Sequence, residues 1–224
     1  MSYLSTTKPR KLRQEQRHIT PLCILNSYSG PSFLFDNVMQ MSYIKKMILF
    51  DASTLILLAK IEMLDIFITD FDKKVVISHK VKEEALEGSS PDGPLIAKVI
   101  QDRGIDVLKA KDKKLVRRLM EDFNIDVGEA ETLTLAIEKK ASLVATDDKN
   151  AIRACKIMKL DFTTAIAILV RSCQKGLIQA DEALAKLQKL QSFARYNKTI
   201  IETARNQIEG VAKYGKKDDK HTNG

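Results

Sequence analysis

Four consecutive apolar residues, Met47 to Phe50, run straight into a carboxylate, Asp51, and apolar spacing of helical period resumes at once through Leu58. A short unbroken apolar run suits a strand buried on both faces, and Ser53 or Thr54 can cap the helix that follows. Such a strand demands helices above and below it, so this stretch commits the chain to an α/β architecture with a parallel sheet. Asp51 then sits where a strand ends, the edge of an open parallel sheet at which ligands collect. A helix-capping role and a role in a site fit this stretch equally well. Other acidic residues at the same edge decide between them.

The rest of the chain repeats the pattern. Val75–Ile77, Ile105–Leu108 and Leu143–Thr146 read as further strands. Helical spacing covers Ser53–Ile61, Met63–Phe67, His79–Leu86, Leu95–Asp102, Asp112–Phe123, Val127–Lys140, Lys149–Met158, Thr163–Gln174, Ala180–Leu190 and Thr199–Ile208. Gly88 to Pro94 reads as a turn, and Gly104 and Gly176 as helix stops. The expected organisation is a basic, poorly ordered extension over 1–46, an α/β domain over 47–178, a helical hairpin over 179–210 and a disordered tail over 211–224.

The net charge of +8 suggests nucleic acid until it is located. Residues 1–46 carry +5 and residues 211–224 carry +2, so the body from 47 to 210 carries only +1. Basicity therefore says little about the folded part. The three cysteines, Cys23, Cys155 and Cys173, form no CxxC pair, and no apolar run approaches the ~20 residues of a membrane span. Without an export signal either, the chain reads as a cytoplasmic protein with no membrane partner.

Four acidic positions recur at comparable places: Asp51 after the first strand, Glu84 in the helix after the second, Glu129/Glu131 opening the helix before the fourth, and Asp147/Asp148 after the fourth. Brought to one edge, they repel unless a cation lies among them. Oxygen ligands of this kind suit Mg²⁺ or Mn²⁺, which can activate water against a phosphodiester. Helix N-termini also attract acidic residues, which accounts for Glu129 and Asp148 without any site. Position 53 is Ser rather than the second Asp of a haloacid dehalogenase phosphatase, there is no phosphate loop, and His18, His79 and His221 are scattered.

Asp51-Ala52-Ser53-Thr54-Leu55, Val81-Lys82-Glu83-Glu84, Gly128-Glu129-Ala130-Glu131 and Thr146-Asp147-Asp148-Lys149 together resemble the successive motifs of PIN-domain ribonucleases, closest to VapC-type proteins with a Gly-Glu-Ala-Glu signature. The resemblance covers roughly 47 to 175. It implies a three-layer α/β/α domain with a short parallel sheet and a C-terminal helical hairpin. It further implies cleavage of single-stranded RNA with Mg²⁺ or Mn²⁺, a small antitoxin protein as partner, and a homodimer. Carried over, Asp51, Glu84, Glu131 and Asp148 are the catalytic carboxylates, with Glu129 and Asp147 as competing metal ligands. Two residues apart on a helix, Glu129 and Glu131 point about 200° apart, so only one faces the metal. Ser53 and Thr146 are expected to hold the ligands from behind. Thr163-Thr164 departs from the Gly-Thr pair that relatives often carry. A protein that keeps the fold only to bind RNA or protein is the other reading.

Overall fold

The computed structural model describes residues 47–71, 74–87 and 92–218, with side chains to residue 211. The basic extension, Gly88 to Pro91 of the expected turn, and residues 219–224 lie outside the described residues. The elements in order are β1 (Met47–Phe50), α1 (Ala52–Lys60), α2 (Leu64–Asp70), β2 (Lys74–Ser78), α3 (His79–Glu87), α4 (Gly93–Asp102), β3 (Asp106–Leu108), α5 (Lys113–Phe123), α6 (Val127–Lys139), β4 (Leu143–Ala145), α7 (Lys149–Met158), β5 (Phe162–Thr163), α8 (Ala165–Gln174), α9 (Ala180–Phe193) and α10 (Lys198–Asp218).

All strand pairings are parallel, in the order β3-β2-β1-β4-β5. The chain winds outward from β1 to β3, then returns to the other side of β1 with β4. The crevice at the carboxyl ends of β1 and β4 is therefore the point where winding reverses, the usual place for a ligand in an open α/β sheet. Successive residues of β1 face opposite layers, as pleating requires. Ile48 and Phe50 join a core with α1, α3, α4, α8, α9 and α10, while Leu49 joins a second with α5, α6 and α7. Residues 48–50 are fully buried. This is the expected three-layer α/β/α sandwich.

The structure departs from the sequence expectation in three places. A fifth strand, Phe162–Thr163, adds to the four expected. Gly93 and Pro94, read as turn, open α4, where proline's missing N–H is no loss because first-turn donors have no helical acceptor. The last helix continues past Ile208 to Asp218. Leu187, Leu190, Ile201, Ala204 and Ile208 of α9 and α10 bury their side chains in the same core as α1 and α8. Among the described residues, no helix is long and apolar enough to cross a membrane.

Candidate active site at the carboxyl edge of the sheet

Asp51 follows β1 and serves as the N-cap of α1, only 3% exposed. Its Oδ1 accepts from the Ala52 backbone N–H at 2.8 Å, and its Oδ2 from the Ser53 hydroxyl at 2.6 Å and, more weakly, from Thr146 Oγ1 at 3.4 Å. Ser53 in α1 and Thr146 just past β4 thus both bond Asp51. Burial pushes the Asp51 carboxyl up to about 6, the Ser53 and Ala52 bonds oppose this, and the charges of Asp126 and Asp147 add to it. Capping and membership of an acidic cluster coexist in this residue.

Glu84 projects from α3 into the same region. Burial pushes its carboxyl up to about 7, with the charges of Asp126 and Asp51 adding. Glu129 arrives from α6 through a reciprocal capping box. Asp126 Oδ1 accepts from the Glu129 N–H at 2.8 Å, and Glu129 Oε2 accepts from the Asp126 N–H at 3.0 Å. Its carboxyl is pushed up to about 8 by burial, and by Asp51, Asp126 and Asp148, against the bond from Asp126. Asp148 caps α7, where Oδ1 accepts from the N–H groups of Asn150 at 2.7 Å and Ala151 at 2.8 Å. Asp51 therefore acts on both Glu84 and Glu129, and Asp148 acts on Glu129, from four successive parts of the chain.

Two expected ligands are engaged elsewhere. Glu131 leaves α6 on the opposite side and accepts from Lys113 Nζ of the α5 start at 2.8 Å, so the structure resolves the Glu129/Glu131 ambiguity toward Glu129 as the residue beside Asp51. Both oxygens of Asp147 are occupied. Thr54 Oγ1 donates at 2.7 Å, the Ala165 N–H at 2.9 Å, and the Tyr196 hydroxyl makes a short third bond. Asp147 braces α1, α8 and the α9–α10 connection while its charge still reaches Asp51, and its neighbour Asp148, at the α7 cap, adds charge to Glu129. Asp126, which the sequence reading passed over, contributes charge to Asp51, Glu84 and Glu129. Its signal was present as the Asp126-x-x-Glu129 capping pattern.

The donor set is oxygen throughout, and burial first, then neighbouring acidic charge, raises the proton affinity of Asp51, Glu84 and Glu129. Buried oxygen donors of this kind suit a hard divalent cation, which would be held by Asp51, Glu84, Glu129 and Asp148. As the side chains stand, no three His, Cys, Asp or Glu residues among the described residues converge tightly enough to hold a metal. No curated protein matches the chain. A family model described as a PIN domain, DUF3368, matches residues 47–209. The match spans the sheet, the acidic edge and most of the C-terminal hairpin, and the chain accordingly belongs to this PIN-domain family, which has a nuclease-type fold.

Proposed function

We propose that the protein is a metal-dependent endoribonuclease that hydrolyses phosphodiester bonds in single-stranded RNA, acting as the toxin of a toxin–antitoxin pair. The observation that carries this reading is the set of acidic residues at the reversal point of the sheet, where burial and neighbouring charge push the Asp51, Glu84 and Glu129 carboxyls up to about 6, 7 and 8. Bound Mg²⁺ or Mn²⁺ would offset that buried charge and supply an activated water together with charge stabilisation at the scissile phosphate. Asp51, Glu84, Glu129 and Asp148 would hold the ion, while Ser53 and Thr146 bond Asp51 and the α6 capping box bonds Glu129. An anionic polymer is supported by α7, which leaves the site at Asp148 with Lys149, Arg153 and Lys156 exposed and no acidic residue along its length. Membership of the PIN-domain family supports a nuclease, and the VapC-like signature is the basis for RNA, an antitoxin partner and a homodimer.

The test is incubation of the purified protein with single-stranded RNA and Mn²⁺, with and without chelator. Metal-dependent cleavage that chelator abolishes, and that Asp51→Asn lacks, is the expected result. Specific RNA retention without cleavage under every metal condition would instead favour a binding module that has kept the fold. That second reading draws on the same structure, in which no three ligating side chains yet converge among the described residues.

A further inference from the structure

We infer that Gly128 is a positioning residue: its missing side chain is the seat on which the Glu84 carboxylate lies against the first turn of α6. A Cβ built on Gly128 would stand 2.6 Å from Glu84 Oε2, 2.8 Å from Oε1 and 3.0 Å from Cδ. All three of its nearest neighbours therefore belong to one carboxylate. At Gly93, Gly104, Gly176 and Gly210 such a Cβ meets nothing closer than 3.9 Å.

Backbone geometry gives no other reason for this glycine. The described glycines with positive φ are Gly104 and Gly176, and Gly128 lies within a regular helix, where glycine is among the weakest formers. The position is buried. Alanine would serve the helix better and is excluded only by the space that Glu84 fills.

The seat places Glu84 beside the capping box. Asp126 at the N-cap and Glu129 at the third helical position flank Gly128, so one turn of α6 fixes Glu129 through its own hydrogen bonds and Glu84 through the absence of a methyl group. Glu84 belongs to α3, and none of the hydrogen bonds among the described residues holds its carboxylate. Shape is what locates it. Since the clashing atoms are the far end of a flexible side chain, a larger residue at 128 displaces the carboxylate and leaves the backbone in place.

The purpose of the seat rests on the metal-dependent reading above, whereas the contact itself does not, and the experiment separates the two. Wild type, Gly128→Ala, Glu84→Ala and the double variant are melted without metal and titrated with Mn²⁺ by calorimetry. Without metal, the Tm change from Gly128→Ala should differ between the wild-type and Glu84→Ala backgrounds by about 1 °C or more, as residues in contact couple. Mn²⁺ affinity of Gly128→Ala should fall about tenfold or more with helix content unchanged. Additive Tm changes, or wild-type Mn²⁺ affinity in Gly128→Ala, would overturn the inference. Coupled Tm changes in a wild type that binds no Mn²⁺ would support the seat and overturn the proposed function.

Discussion

Replacing Asp51 by Asn sets the site against the scaffold. Asp51 is nearly wholly buried, and its carboxyl is pushed from an ordinary 3.8 up to about 6. A carboxyl with a raised folded pKa stabilises the protein fully below about pH 4, and that contribution is lost as pH rises through 6. At pH 7.5 the ionised group therefore costs roughly 3 kcal/mol relative to its state in the unfolded chain. Asn removes the charge with almost no change of shape. Its Oδ1 still accepts from the Ala52 N–H, and the Ser53 hydroxyl can turn to accept from Nδ2, so the remaining loss is about 1 kcal/mol of charge-assisted bonding. The metal-free variant should then gain roughly 2 kcal/mol, a Tm rise of about 4–8 °C for a domain of this size.

Mn²⁺ should act in the opposite direction. A cation at one hundred times its dissociation constant stabilises the wild type by about 3 kcal/mol, and Asp51→Asn should lose most of that along with cleavage. The assay is a set of four melting curves at pH 7.5, each protein in EDTA and in Mn²⁺, alongside RNA cleavage. An Asn at a pure helix cap is nearly as good as Asp, so a site-free Asp51 predicts little change in any of them. A variant that keeps both the Mn²⁺ shift and the cleavage would refute the assignment.

Three further outcomes follow from the same geometry. The metal-free protein should lose stability between about pH 4 and 8, because Asp51, Glu84 and Glu129 are raised to about 6, 7 and 8, and urea midpoints in EDTA at pH 5 and pH 8 measure the fall. Excess Mn²⁺ at pH 8 should reverse it. Glu129→Gln should abolish the Mn²⁺ response, whereas Glu131→Gln, which loosens only the bond from half-exposed Lys113, should preserve it and cost at most about 1 kcal/mol; equal responses in the two would contradict the division of roles. Tyr196→Phe takes one donor from the Asp147 carboxylate and should lower stability by about 1–3 kcal/mol in denaturant melts.

The fold was legible where the chain carries long local signals. The apolar runs of β1, β2 and β4 and the helix periods between them sufficed for a three-layer sandwich, and the register of Asp51 with the sheet edge followed. Phe162–Thr163 escaped because two residues carry no period of their own; pairing to Val144 and Ala145 makes them a strand. At the site, Asp51 and Asp148 could be picked out from their positions after strands, and Glu84 from its helix following the second strand. The resemblance favours Glu131 over Glu129, and the two could not be told apart locally, since what draws Glu131 away is Lys113, on another helix. Asp147 is claimed by Tyr196, 49 positions along the chain. Asp126 was hidden by its own ordinary role, because a helix cap announces itself as a cap whether or not its charge reaches a cleft.

The division between Asp147 and Asp148 shows how the fold sustains a cluster that works against its stability. Neighbours on an extended segment leaving a strand point to opposite layers. Asp148 turns to the α7 side, where it caps a helix and adds charge to Glu129. Asp147 turns to the other layer and meets donors from α1, α8 and the segment between α9 and α10. Hydrogen bonds to a charged group contribute about 1.5–3 kcal/mol each, so the three oppose the burial that still leaves the Asp147 carboxyl raised. Thr54, one of the three donors, adjoins Ser53, which holds Asp51, so the start of α1 grips both the brace and the cluster. Through Tyr196 the C-terminal hairpin reaches the same strand end. The charges that act on Asp51, Glu84 and Glu129 thus push against a frame fixed on three sides, and they add to burial in raising the proton affinity of those three carboxyls instead of relaxing away.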